Sequence, residues 1–135
     1  MAGAVWDDKK HTLGVDGMDR VHREFAVQLD ALIAADDAAF PALFQALILH
    51  TRAHFDAEGQ LMRASKYQGL REHDGEHHRV LGELLQLNRS LKRGRLPLVR
   101  AFVKHGLTEW FDTHVAMMDS ALAMHLSRDT TGNAS

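Results

Sequence analysis

Apolar positions along this chain recur at intervals of three and four, the spacing of one face of an α-helix, and never alternate with period two for more than a few residues. Gly and Pro punctuation around 13–17, 34–41, 65–69 and 92–97 separates four such stretches. In the first, Met18, Val21, Phe25, Leu29 and Leu32 make the stripe, His22 falls on the same face, and Asp16 or Asp19 is placed to cap the start. In the second, Phe40, Leu43, Leu47, Thr51, His54, Glu58 and Leu61 share a face, and Pro41 suits a first-turn position. The third carries Leu70, His73, His77, Val80, Leu84 and Leu91, and the basic turn Lys92, Arg93 and Arg95 around Gly94 marks its end. The fourth starts near Pro97 and runs through Val99, Val103, Leu107, Trp110, His114 and Met117 or Met118. The pattern predicts an all-α fold. Helices of about 20 residues joined by about four to seven residues favour antiparallel neighbours, and so an up-down-up-down four-helix bundle.

Before the first stripe the chain reads as an N-terminal loop, and SRDTTGNAS at its end is polar and aperiodic. The expected division is one bundle domain over 1–126 and a frayed or disordered tail over 127–135. A length of 135 residues, with 45% hydrophobic and 25% charged positions, suits a single core. The absence of cysteine removes disulfides, thiolate zinc sites, iron–sulfur clusters and cysteine nucleophiles, so any metal must take nitrogen and oxygen donors. With 16 Lys and Arg against 18 Asp and Glu, the charge balance argues against nucleic acid or an anionic membrane surface as partner. No apolar run reaches the length of a signal-peptide core or a membrane span, which gives the expectation of a soluble, cytoplasmic protein.

Ten histidines accompany one tyrosine and two prolines, and their placement changes the picture. Taken singly, a histidine on an apolar face is more often satisfied by a backbone carbonyl than by a metal. Six polar groups, however, interrupt the inward stripes: His22, His54, Glu58, His73, His77 and His114, drawn from all four stretches. Each would cost about 1–3 kcal/mol if buried without a partner, and the carboxylate far more. A shared cation resolves this, because it accepts the imidazole lone pairs and offsets the carboxylate charge. HFDAE and HDGEH place His54 with Glu58, and His73 with His77, at i and i+4, one helical turn apart on one face.

The series formed by His22, HFDAE, HDGEH and WFDTHVAMMD, from the LGVDGMDRVH stretch to Asp119, resembles the single-domain bacterial hemerythrins. That resemblance implies a non-haem di-iron site that binds dioxygen reversibly inside a four-helix bundle. It implies that His73, His77 and His114 hold one iron, His22 and His54 the other, and that Glu58 and Asp119 bridge the pair with an oxo or hydroxo group. The two-histidine iron would keep the open position for dioxygen. Asp119 comes from the resemblance alone. Five residues beyond His114 is about 140° around an ideal helix, so joint ligation requires a widened turn near 115–118. Five imidazoles and two carboxylates also bring less negative charge than the four glutamates and two histidines of ferritin-like centres, which favours a carrier over an oxygenase.

Phe25, Phe55, Trp110 and Phe111 are candidates for an apolar wall around the site, with ordinary core packing an equal alternative for each. Gly59 stands where relatives often carry a second glutamate, and that position is expected to face away from the cluster. Gly59, Gly75, Gly82 and Gly106 each weaken a helix by about 1 kcal/mol relative to alanine. His50, one turn before His54, is either a hydrogen-bonding neighbour of the site or a satisfied core histidine. His11, His78, His105 and His125 are expected on the surface or in loops, and Asp36, Asp37 and Lys92 to Arg95 read as solvated loop charges. The functional expectation is dioxygen storage, transport or delivery to an oxygen-requiring enzyme, by a chain that is not itself an enzyme and is monomeric. The alternatives are a di-iron enzyme acting on peroxide or nitric oxide, and a structural or zinc-binding bundle.

Overall fold

The computed structural model describes residues 4–134, with side chains described as far as Arg128. The fold is all-helical, and no strand occurs among the described residues. A single-turn helix α1 (Asp8–His11) precedes three long helices, α2 (Asp16–Ala34), α3 (Phe40–Ala64) and α4 (Leu70–Lys92). The remainder is one continuous helical run with two widened turns: α5 (Leu96–Ala101), a π-helical segment Phe102–Leu107, α6 (Thr108–His114), a second π-helical segment Val115–Asp119, and α7 (Ser120–Ala134).

The boundaries follow from local chemistry. Pro41 and Pro97 occupy first turns, where a missing amide hydrogen costs nothing. At the end of α4 the amides of Gly94 and Arg95 return to the carbonyls of Leu91 and Ser90, with Gly94 at φ +87°, a left-handed conformation that favours glycine. Neither Asp16 nor Asp19 is the N-cap of α2, a position held by Val15. Asp19 lies buried in the first turn, and its two carboxylate oxygens accept the amides of Leu13 (2.8 Å) and Gly14 (3.1 Å) from the incoming loop. Arg100 donates to the carbonyl of Ala35 at the C-terminal end of α2 and pairs at 3.3 Å with Asp37, whose side chain stays 79% exposed, as expected of a solvated loop charge.

α2 packs on α3, α3 on α4 and α4 on α5, while α2 also meets the first π-helical segment. Two apolar clusters result. The larger contains Phe25, Leu29, Leu32, Phe40, Phe44, Leu47, Val80, Leu84, Val99, Val103, Leu107 and Phe111, and the smaller Met18, Met62, Leu122 and Ala123. On α3 the buried face is Phe40, Phe44, Leu47, Ile48, Thr51, Phe55, Glu58 and Met62. Leu43 and Leu61, expected in that stripe, are exposed, and Phe44 and Met62, one position away, are buried in their place. On the last run Met117 is likewise exposed, and Val115 takes the inward position. Helical backbone continues to Ala134 through most of the stretch expected as a disordered tail, since extending a formed helix costs far less than nucleating one. Ser135 lies outside the described residues.

Replacing Asp19 with alanine leaves two loop amides without an acceptor and is expected to cost about 1–3 kcal/mol. Urea denaturation should show a lowered midpoint at unchanged slope. Leu49→Ala, at a position 66% exposed, should stay within about 0.5 kcal/mol of the parent.

Candidate metal centre

On every long helical run, polar residues fall between positions of the larger apolar cluster and positions of the smaller. α2 contributes His22 between Met18 and Phe25, and α3 contributes His54 and Glu58 between Ile48 and Met62. α4 contributes His73 and His77 ahead of Val80, and the last run contributes His114 and Asp119 between Phe111 and Leu122. All but His54 are buried, and the His54 side chain retains 14% exposure.

The seven groups meet through their Nε2 and carboxylate atoms. His73 Nε2 lies 2.7 Å from Glu58 Oε1 and 3.1 Å from Asp119 Oδ1. His77 Nε2 is 3.4 Å from Glu58 Oε1 and 3.1 Å from His114 Nε2, which is itself 3.2 Å from Asp119 Oδ1. On the other side, His22 Nε2 is 3.0 Å from Asp119 Oδ2 and His54 Nε2 is 3.3 Å from Glu58 Oε2. Two sets of donor atoms result, each within 4.8 Å of one another: Glu58, His73, His77, His114 and Asp119, and then His22, His54 and Glu58. Glu58 belongs to both, and Asp119 reaches from the first to His22 of the second.

The second π-helical segment, Val115–Asp119, is the widened turn that joint use of His114 and Asp119 demands. The Asp119 side chain points inward and is almost fully buried.

Of these contacts only His77–His114 has the geometry of a hydrogen bond. His22 Nε2, His73 Nε2, both Glu58 oxygens and Asp119 Oδ1 are buried with no hydrogen-bond partner, although the donor atoms lie within 4.8 Å of one another. That is the arrangement a cation satisfies. Imidazole nitrogen with carboxylate oxygen and no thiolate is a donor set suited to iron, zinc or manganese, so the residues fit a metal.

In the metal-free chain the electrostatics are uneven. Burial drives the Glu58 carboxyl up, and the neighbouring Asp119 charge adds to the effect. Burial would also raise Asp119, but His114, His22 and His73 around it hold it well below the usual carboxylate range. Burial opposes a proton on His73, yet Asp119 and Glu58 outweigh it and lift this imidazole to about 9. His22 is raised in the same way, burial being overcome by Asp119. Burial, with the charge on His22, lowers His54 to about 4, and burial, with His73 and His114, lowers His77 to about 2. Protons thus stand in for a cation at two imidazoles and are refused at two others.

Aromatic rings enclose the imidazoles. Phe55 stacks on His77 at 3.8 Å, Trp110 stacks on His114 at 4.6 Å, and Phe111 meets His22 edge-on at 6.1 Å while stacking on Phe25. All four candidates for an apolar wall therefore lie on the site or directly behind it. Tyr67, which the sequence did not single out, meets His73 edge-on at 6.5 Å. Trp110 donates its indole N–H to Glu76 at 2.9 Å. The Arg79 guanidinium, aided by that indole, holds the Glu76 carboxyl down at about 2.

His50 stays outside the cluster, its Nε2 3.1 Å from Glu24. A Cβ at Gly59 would face Arg63 and Asp74 rather than the donor atoms. His78 and His105 are exposed, and His125 is half-buried with its ring nitrogen 3.0 Å from the Ser65 carbonyl. His11 departs from expectation: it is 1% exposed, with Nε2 2.7 Å from Asp112 Oδ1. It sits on a single turn, too short for any periodicity to mark it.

A cation drawn to this cluster at pH 7 must displace the proton on His73. Metal uptake is therefore expected to release protons, and affinity to rise with pH up to about 9, where that imidazole becomes neutral unaided. Zn(II) calorimetry in buffers of different ionisation enthalpy measures this directly, and heats independent of buffer would contradict it.

The family model described as the Hemerythrin HHE cation binding domain matches residues 13–126. The bacteriohemerythrin of Ralstonia nicotianae (strain ATCC BAA-1114 / GMI1000) is 33% identical over 123 residues, covering 91% of this chain and 88% of the relative. The bacteriohemerythrin of Aquifex aeolicus (strain VF5) is 30% identical over 115 residues, covering 81% and 87%. No solved structure gives a significant match. Sequence similarity spans the same stretches of helix that bring the imidazoles and carboxylates together, and this chain belongs to the hemerythrin family.

Proposed function

We propose that this chain stores or delivers dioxygen, taken up reversibly at a pair of iron ions inside an up-and-down four-helix bundle formed within residues 1–126. His73, His77 and His114 hold one iron, His22 and His54 the other, and Glu58 and Asp119 reach both. The observation that carries this reading is the convergence of seven imidazole and carboxylate groups from four helical runs, with buried atoms that have no partner in the protein. The name borne by the two relatives supports it. All seven groups come from one chain, so a monomer suffices.

When bound, the iron pair supplies the electrons that dioxygen takes up and returns. The protein's own residues set the conditions for that exchange. Glu58 and Asp119 contribute the anionic charge, and five neutral imidazoles complete the donors without adding more. His22 and His54 form the end with fewer donors, which is where an open position for dioxygen would fall. His54 keeps some exposure there, and Phe111, backed by Phe25, covers His22 and limits water. Phe55 and Trp110 lie flat on His77 and His114, fixing ring planes at the donor-rich end.

The iron-loaded protein, reduced without oxygen and then exposed to air, should develop a charge-transfer colour that disappears under vacuum and returns over repeated cycles. Irreversible bleaching or rapid peroxide turnover would overturn the carrier reading, and protein that holds no iron after expression with adequate iron would overturn the metal assignment. Chelation should also destabilise the fold. Ions present at about a thousandfold over their dissociation constant contribute about 4 kcal/mol. For a chain of this size that corresponds to a melting temperature lower by about 10 °C or more after metal removal. An unchanged melting curve after verified removal would contradict this.

A further inference from the structure

The N-terminal arm is fastened to the bundle beside the metal centre by a pair that no helical pattern announces. His11 is almost fully buried, and its Nδ1 accepts the Asp7 amide at 2.9 Å. That contact places the ring proton on Nε2, which is donated to Asp112 Oδ1 at 2.7 Å. The acceptor is a carboxylate, so the bond is of the stronger, charge-assisted kind. Trp6 and Phe111 flank the imidazole at 5.3 and 4.7 Å, and Phe111 is the ring that meets His22. The arm is anchored on α2 as well. The Val5 amide donates to Asp30, the Arg23 guanidinium lies 5.0 Å over Trp6, and the Leu13 and Gly14 amides donate to Asp19.

What the arm covers gives these contacts a purpose. α1 packs against the π-helical segment Val115–Asp119, the turn that delivers Asp119 to the cluster. π-Helical turns are rare and short-lived in isolation, and a segment that relaxed to ordinary α-helix would swing Asp119 by about 100° away from His114. Asp112 stands at the entry to this turn, and the arm lies along it. We propose that the His11–Asp112 pair is a positioning device: it clamps α1 against the α6–π junction, so that the widened turn persists and the Asp119 carboxylate stays aimed into the centre. This deepens the metal-binding reading above and rests on it. His11 and Asp112 touch no donor atom of the cluster, and their effect passes through the backbone of residues 115–119 and through Phe111.

The test uses the full-length protein stripped of metal, with His11→Ala, Asp112→Ala and His11→Gln variants. The glutamine amide can donate to Asp112 in place of Nε2. Asp112 has a 43% exposed side chain, so its alanine variant keeps the test open should His11→Ala fail to fold. Two readouts are taken: amide hydrogen exchange across residues 115–120 without metal, and the midpoint of a Co(II) titration followed by visible absorption. In both alanine variants exchange in this segment should accelerate more than in α3 or α4. The Co(II) midpoint should rise at least about tenfold, in the range found for residues that orient ligands from behind. His11→Gln should restore both. Parent-like exchange and parent-like Co(II) uptake in the alanine variants would overturn the proposal. So would a uniform rise in exchange with an unchanged midpoint, which is the signature of a staple that adds only stability. A parent protein that takes up no Co(II) would overturn the metal-binding reading instead, and the exchange comparison alone would then decide the clamp.

Discussion

Seven imidazole and carboxylate groups, six of them buried and His54 nearly so, meet between two apolar clusters, and the rest of the molecule is arranged around that layer. Such groups cannot remain where they are without compensation: a buried, unpaired carboxylate costs far more than any single apolar contact returns. The metal-free chain compensates with protons, holding one on His73 against the cost of burial while refusing them on His54 and His77. This compensation is partial, since several of the same atoms have no hydrogen-bond partner. A cation serves all of them at once. The two apolar clusters on either side carry the fold, which allows the layer between them to be chosen for chemistry.

The demand for two donors from the last helical run explains its irregularity. Val99, Val103, Leu107, Phe111, Val115 and Asp119 are all buried at a constant interval of four. On an ideal helix each such step gains about 40°, so five steps would carry the face about 200° around the axis and out to solvent. Two π-helical segments absorb that drift and keep the row inward. The first contributes Phe102, Val103 and Leu107 to the larger apolar cluster, and Gly106 leaves space that a Cβ would take from the Phe102 ring, 2.9 Å away. The second delivers Asp119. One device therefore serves packing in one turn and ligand placement in the other.

Much of this was legible in the chain because it follows from periodicity and spacing. The helix limits and the inward histidines follow from which residues must share a face, whereas the widened turn beyond His114 is expected only because the family resemblance places Asp119 beside it. Where the reading failed, the deciding information was not periodic. On α3 the apolar positions are dense enough to define two adjacent stripes, and spacing alone does not choose between them; Leu43 and Leu61 are exposed. The constant interval of four from Val99 was a usable signal for a second widened turn, yet it is easily mistaken for an ordinary stripe over two or three turns. Asp19 turns back to bind loop amides, and His11 is buried against Asp112 across 101 residues of sequence; neither contact leaves any local mark.

The donor count bears on what such a centre does with oxygen. Two divalent ions, held as proposed, would bring four positive charges, of which Glu58 and Asp119 would offset two; the five imidazoles would add none. A centre left with that surplus would resist losing further electrons, so uptake that stops short of breaking the oxygen–oxygen bond would be favoured over deeper oxidation. The same surplus would invite water and anions, and here the rings matter. Phe111 and Phe25 close over His22, while Phe55 and Trp110 lie on His77 and His114. Exposure at the cluster is therefore confined largely to His54. A small neutral molecule can pass such a wall at little desolvation cost, whereas an ion must shed its hydration to follow it. On the proposed reading, selectivity for a neutral diatomic would follow from a charged centre set behind an apolar screen.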